Sequence, residues 1–107
     1  MVESILCEAE QRHALIIAYS HGNPRLPEVY DDAKVVENFA KKQNFNSITI
    51  LRDQEATSDA IIEFFALQSV EVLKHTKQNT SKKYLILVFY AGHGGLVYGT
   101  QRVSLHN

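Results

Sequence analysis

The chain has 107 residues, 45% hydrophobic and 21% charged, with 11 basic against 12 acidic side chains and a net charge of -1. That length supports one small domain with a packed core, and the balanced charge without a long Lys/Arg run excludes the electrostatic footprint of a nucleic-acid or anionic-membrane binder. No apolar run approaches the roughly 20 residues of a membrane helix, and Val2-Glu3-Ser4-Ile5-Leu6-Cys7-Glu8 lacks both the basic start and the long apolar core of a secretory signal. The single cysteine, Cys7, excludes an internal disulfide framework and suits a reducing compartment. The expectation is a soluble intracellular, cytoplasmic domain.

Residues 1–12 are read as a lead-in, with Ile5, Leu6 and Ala9 at loosely helical spacing. His13-Ala14-Leu15-Ile16-Ile17-Ala18-Tyr19 is the first continuous apolar run and predicts a buried strand. Ser20 to Pro27 is loop by composition and contains both prolines. From Glu28 the period changes. Val29, Ala33, Val36, Phe39 and Ala40 fall on one helical face, with Asp31 and Asp32 early and Lys41-Lys42 late, as the helix dipole favours. Asn44 offers a stop. Ser47-Ile48-Thr49-Ile50-Leu51 predicts a second strand, and Thr57 is the expected N-cap of a second helix with a broad apolar face from Ala60 to Leu73. A polar linker is expected over 75–83.

Tyr84-Leu85-Ile86-Leu87-Val88-Phe89-Tyr90-Ala91 is apolar along its length and then stops at Gly92-His93-Gly94-Gly95. Such a run suits a central strand of a parallel sheet, buried on both faces. It places His93 just past the strand's carboxyl end, where open α/β sheets keep ligand and catalytic groups. Beyond it, residues 95–105 alternate and predict a hairpin with Gly99-Thr100-Gln101-Arg102 as its turn. The order is β-α-β-α-β plus a C-terminal β-hairpin. With right-handed crossovers this predicts an α/β three-layer sandwich with a mainly parallel sheet, one domain over 13–107. Three main strands leave a sheet edge open, so the domain reads as incomplete, its edge covered by another protein chain or by a missing C-terminal segment.

The strand ending Phe89-Tyr90-Ala91-Gly92-His93-Gly94 resembles the histidine motif of caspase-like cysteine peptidases, above all metacaspases and paracaspases, which read Tyr-Ser/Ala-Gly-His-Gly. Arg12 to Ile17 looks like their first strand. Leu26 with Asp31-Asp32-Ala33 resembles the start of their first helix, Asn44-Phe45 stands where Gly-Phe is usual, and Leu51-Arg52-Asp53 with Thr57 follows their second strand and helix cap. The similarity spans roughly Arg12 to Leu105. It implies a partial caspase-like (p20-type) fold, His93 as the catalytic histidine, and the Gly94 backbone N–H as oxyanion donor. It also implies a substrate-binding role for Arg25, in the loop after the first strand, beside the bland reading of a solvated loop arginine.

The chemistry behind that assignment is general. A cysteine nucleophile needs a nearby histidine to hold it as thiolate and to protonate the leaving amine, and backbone N–H groups stabilise the charge that develops on oxygen. In this class the cysteine lies about 50 residues beyond the histidine, and no Asp-Ser-Cys or Gln-Ala-Cys segment occurs in these residues. Cys7 precedes the first strand and reads as a small packing residue. The expected function is a cysteine-type endopeptidase domain, inactive alone, with peptide as substrate if a cysteine is supplied. The alternative is a non-enzymatic caspase-fold interaction or scaffold subunit. A third reading, a nucleotide-binding domain using Gly92-x-Gly94-Gly95 as a phosphate nest, lacks the Lys-Ser/Thr of a P-loop and the glycine spacing of a dinucleotide fingerprint. His21-Gly22 is read as turn chemistry with a smaller claim on lining the cleft. Asp31 and Asp32 are read as helix-start residues before calcium or substrate ligands. No cofactor is expected, and no metal, since no two histidines share ligand spacing.

Overall fold

The computed structural model describes residues 9–22, 24–77, 83–97 and 100–106. Its elements are β1 (Gln11–Ala18), α1 (Val29–Lys42), β2 (Ser47–Arg52), a 3-10 turn (Asp53–Glu55), α2 (Ser58–Lys77), β3 (Tyr84–Ala91), β4 (Gly94–Val97) and β5 (Thr100–Val103). The first, second and third strands form one parallel sheet in the order β2-β1-β3, and β4 and β5 pair as a separate antiparallel hairpin. The described residues are therefore α/β, with a three-stranded parallel sheet and two α-helices.

The middle strand is β1, and its residues Ala14 to Ala18 are all buried. Because side chains alternate across a strand, β1 feeds two cores. Ile16 and Ala18 pack with Val29 and Ala33 of α1, Ala91 of β3 and the flanking Ile48, Ile50 and Phe89. Leu15 and Ile17 pack on the opposite face with Ala56, Phe64 of α2, Leu51, Ile86 and Tyr90. The two helices thus cover opposite faces. This is what right-handed crossovers require when the chain steps one way from β1 to β2 and back past β1 to β3.

The helix ends follow local chemistry. Thr57 accepts the Ala60 N–H on its hydroxyl at 3.1 Å, the N-cap anticipated for α2. Asn44 takes a left-handed φ of 56°, and the Asn44 and Phe45 N–H groups donate to the Lys41 and Ala40 carbonyls at 3.1 Å each. That pair of bonds is a Schellman motif, which closes the last turn of α1 and satisfies its free carbonyls.

Several boundaries differ from the sequence reading. The first strand begins at Gln11 because Gln11 and Arg12 pair with Tyr84 and Leu85. The second helix runs on through His75 to Lys77, so its last turn takes up the start of the expected linker. Residues 78–82 of that linker, residues 1–8 of the lead-in with Cys7, and Tyr98-Gly99 lie outside the described residues. Thr100, Gln101 and Arg102 belong to β5, with Thr100 opposite Val97, so the turn expected at 99–102 does not lie there. The largest difference concerns β3. Among the described residues it is an edge of the sheet, flanked only by β1, and most of its side chains are half-buried, with Val88 49% exposed. An apolar run reports residue character; strand order decides whether that strand lies at the centre or at an edge.

Candidate functional site at the carboxyl edge of the sheet

Strand register builds the site. Ala18 stands opposite Arg52 on one side and Ala91 on the other, so all three parallel strands end level. The residues that follow, Tyr19-Ser20, Asp53 and Gly92-His93, are thereby gathered along one edge. Gly92 serves the close approach there: a Cβ at this position would lie 2.5 Å from the Tyr90 hydroxyl and 2.9 Å from the Tyr19 carbonyl.

His93 is half-buried and is held from two sides. Its Nε2 lies 2.6 Å from the Pro24 carbonyl oxygen. A carbonyl only accepts, so Nε2 carries a proton, and the neutral form of the ring is the Nε2–H tautomer with the lone pair on Nδ1. Among the described residues Nδ1 has no hydrogen-bond partner. Behind the ring, Gly22 approaches so closely that a Cβ would sit 2.3 Å from His93 Cδ2, and Gly22 takes a φ of +147°, which L side chains rarely adopt. Gly22 and the Pro24 carbonyl thus meet the imidazole through backbone atoms.

The backbone of His93 is fixed as well. Its carbonyl accepts the Ser104 N–H at 2.8 Å, and the Tyr90 hydroxyl sits 2.8 Å from that carbonyl and 2.6 Å from the Ser104 carbonyl. Burial pushes the Tyr90 phenol above its ordinary range, and neighbouring Tyr19 adds to it. Tyr90 is therefore a protonated donor at neutral pH. His93 and Ser104 form a hydrogen-bonded rung. The next pair, Gly94 and Val103, is consequently the non-bonded rung of the antiparallel ladder. The Gly94 N–H therefore turns away from β5.

Asp53 ends β2 with a left-handed φ of 48°. Its Oδ1 accepts the Ser20 N–H at 3.0 Å and the Ser20 hydroxyl at 2.9 Å, and its Oδ2 accepts the Tyr30 hydroxyl. Burial pushes the Asp53 carboxyl up, but the Tyr30 and Ser20 hydrogen bonds and the adjacent His21 outweigh it and hold the group below its ordinary value. Ser20 is fully buried. His21 Nε2 lies 3.8 Å from Asp53 Oδ1, and the His21 ring meets Tyr19 at 5.2 Å and His106 at 6.1 Å between centroids.

The structure brings His93 and Gly94 together with the loop that carries Arg25, which is exposed and follows Pro24 directly. It directs His21 to Asp53 and His106, while Gly22 reaches His93. Asp31 and Asp32 are exposed in the first turn of α1. Gly92 and Gly94 do not take the positive φ that a phosphate nest uses, and Gly94 is the first residue of β4. Among the described residues no group of three His, Cys, Asp or Glu side chains is placed to hold a metal. Nor, among them, is any helix long and apolar enough to cross a membrane.

Pro24, Tyr90 and Asp53 were not singled out as site residues from sequence, and Gly22 entered only with His21, as a turn with a smaller claim on lining the cleft. For Pro24 no signal exists, since the working atom is a backbone carbonyl that every residue carries. For Tyr90 and Asp53 there was one: a polar tip at the end of an apolar strand, and an acid directly after a parallel one. Comparison with protein-family models, with curated proteins and with solved structures finds no match to this chain.

Proposed function

We propose that this chain is the histidine-bearing part of a caspase-like cysteine endopeptidase fold, metacaspase- or paracaspase-like, and that it is inactive without a thiol supplied from outside these residues. The observation that carries the reading is the state of His93: Nε2–H committed to the Pro24 carbonyl and Nδ1 left without a partner, at the carboxyl edge of a parallel sheet. An imidazole so held is a base with its tautomer already chosen. Nδ1 takes the proton of an approaching thiol, and the thiolate attacks the scissile carbonyl carbon. A C–S bond forms as the carbonyl π pair moves to oxygen, where the Gly94 N–H donates to it. The tetrahedral centre collapses, and the Nδ1 proton passes to the leaving amine. Water, deprotonated by the same nitrogen, then releases the acid. In this reading Arg25, exposed on the loop that holds His93, is the substrate-binding cation.

Sequencing the transcript past the Asn107 codon tests the proposal. The expected result is a cysteine in an Asp-Ser-Cys-like context about 50 residues beyond His93, and a longer chain whose peptide hydrolysis is abolished by His93→Ala. A reading frame without such a cysteine defeats the peptidase reading. The 107-residue chain itself is expected to leave a peptide-based thiol-reactive probe unreacted. Labelling of Cys7 that disappears in His93→Ala would contradict its inertness.

A second reading, a non-enzymatic interaction subunit, is favoured by the apolar surface on the α2 side. Phe65, Val72 and Leu73 of α2 and Val88 of β3 are exposed, and with Ile86 they run toward the free edge of β3. Surfaces of this kind are ordinarily covered by another strand, helix or chain. Absence of a downstream cysteine would favour this reading over the first.

A further inference from the structure

We infer that Asp53 is a positioning residue for His93, an inference that rests on the reading of His93 as the base of this site. The two never need to touch, because the loop between β1 and α1 links them. That loop leaves the sheet at Ser20 and enters α1 at Val29-Tyr30. Asp53 holds both of its feet: Oδ1 takes the Ser20 amide and hydroxyl, and Oδ2 takes the Tyr30 hydroxyl from the first turn of α1. The loop is then closed on itself by the Leu26 N–H donating to the Ser20 carbonyl at 2.9 Å. What it carries at its crest is the grip on the imidazole, Gly22 behind the ring and the Pro24 carbonyl on Nε2.

The arrangement asks more of Asp53 than of an ordinary strand-end acid. Its backbone sits at a φ of 48°, open to few residue types and among them Asp and Asn. Its carboxylate accepts three donors beside a fully buried serine, so the loop's feet are tied by charge-assisted bonds, the strong kind. His21 adds a flanking positive charge only when protonated. A loop clamped at both feet has few ways to tilt its crest. Release of the clamp frees the Pro24 carbonyl to leave Nε2, and the imidazole then loses the bond that selects its tautomer.

The test reads the imidazole itself. In the wild-type 107-residue chain, side-chain 15N correlation spectra at neutral pH should show His93 as a fixed Nε2–H tautomer, with well-separated Nδ1 and Nε2 shifts. In Asp53→Ala those two shifts should converge toward an averaged pair while the amide pattern of β1 and β3 stays in place. Should Asp53→Ala fail to fold, Ser20→Ala with Tyr30→Phe carries the test, since it removes donors and leaves the β2 turn untouched. Asp53→Asn, which keeps an acceptor for Ser20, should restore the separation in part. A wild-type His93 without the fixed tautomer would refute the site reading itself. A fixed tautomer that persists in the folded clamp variants would overturn the role of Asp53 and leave the site reading standing.

Discussion

At the scale of single residues, the site is built from contacts that tolerate no added atom and from one carboxylate that must stay charged. Gly22→Ala places a methyl 2.3 Å from the His93 ring at a φ of +147°. It is expected to destabilise the fold by about 1–3 kcal/mol and to move the His93 side-chain resonances, which thermal unfolding and the same 15N spectra would report. Acid should act mainly through Asp53 and His13, with Glu37, which its Lys41 partner holds below the ordinary carboxylate range, adding to the more acidic stage. Hydrogen bonding leaves the Asp53 carboxyl below its ordinary value despite burial, so its folded pKa lies under the unfolded one. Its stabilisation is complete above the ordinary aspartate range and drains away as pH falls through that range to the folded value. Burial also lowers His13, against the charge of Glu71, while its Nδ1 sits 2.6 Å from the Ser47 hydroxyl. That favours the neutral ring, so the His13 contribution is present above the ordinary histidine range and is lost as pH drops below it. Urea midpoints measured against pH should therefore fall in two stages on acidification. Asp53→Ala should flatten the more acidic stage and His13→Gln the milder one; a single unchanged slope in both variants would refute the assignment.

At the scale of elements, caps and ends were legible because the chemistry that makes them is local. Thr57→Ala removes the hydroxyl that takes the Ala60 N–H and should cost about 1 kcal/mol, seen as a lowered urea midpoint at unchanged slope. Asn44 tests the other kind of end. Its left-handed φ of 56° suits Gly at least as well, so Asn44→Gly should be near neutral, whereas Asn44→Val should lose on the order of 1–2 kcal/mol. If the two variants melt together, the Schellman closure of α1 does not depend on that conformation. The hairpin turn and the end of α2 were less legible. Gly-Thr-Gln-Arg has turn-forming composition, yet Gly94 to Val97 finds its partner in Thr100 to Val103 and draws Thr100–Arg102 into a strand. His75 to Lys77 is polar, and basic residues in a last turn complement the helix dipole, so polarity alone did not end the helix there.

For the whole molecule, the two faces of the sheet are unequally finished. On the α1 face Val29, Ala33 and Ala40 are buried, while Phe39, expected on the same face, stays 41% exposed. On the other face α2 shows Ile62, Leu67, Val70 and Leu73 to solvent, each about half exposed or more, and Leu73 lies with Ile86 of β3. An apolar strand with a free edge is a template for pairing. Sedimentation of the 107-residue chain should show concentration-dependent association, and Val88→Lys on β3 should reduce it without lowering the unfolding midpoint. Association indifferent to that charge would place the contact elsewhere.

Periodicity, caps and strand composition were enough, before any coordinates, to establish an α/β chain of alternating strands and helices with His93 at a strand end. Each of those properties depends on residues within a turn or two of one another. Long-range pairing decided the rest. The order β2-β1-β3 made β1 the buried centre and left β3 at an edge, and register brought Asp53, Ser20 and His93 level. A loop closed over the ring with a carbonyl and a glycine whose function no side chain announces. Backbone atoms are the same at every position, so what they touch is settled only when distant parts of the chain meet.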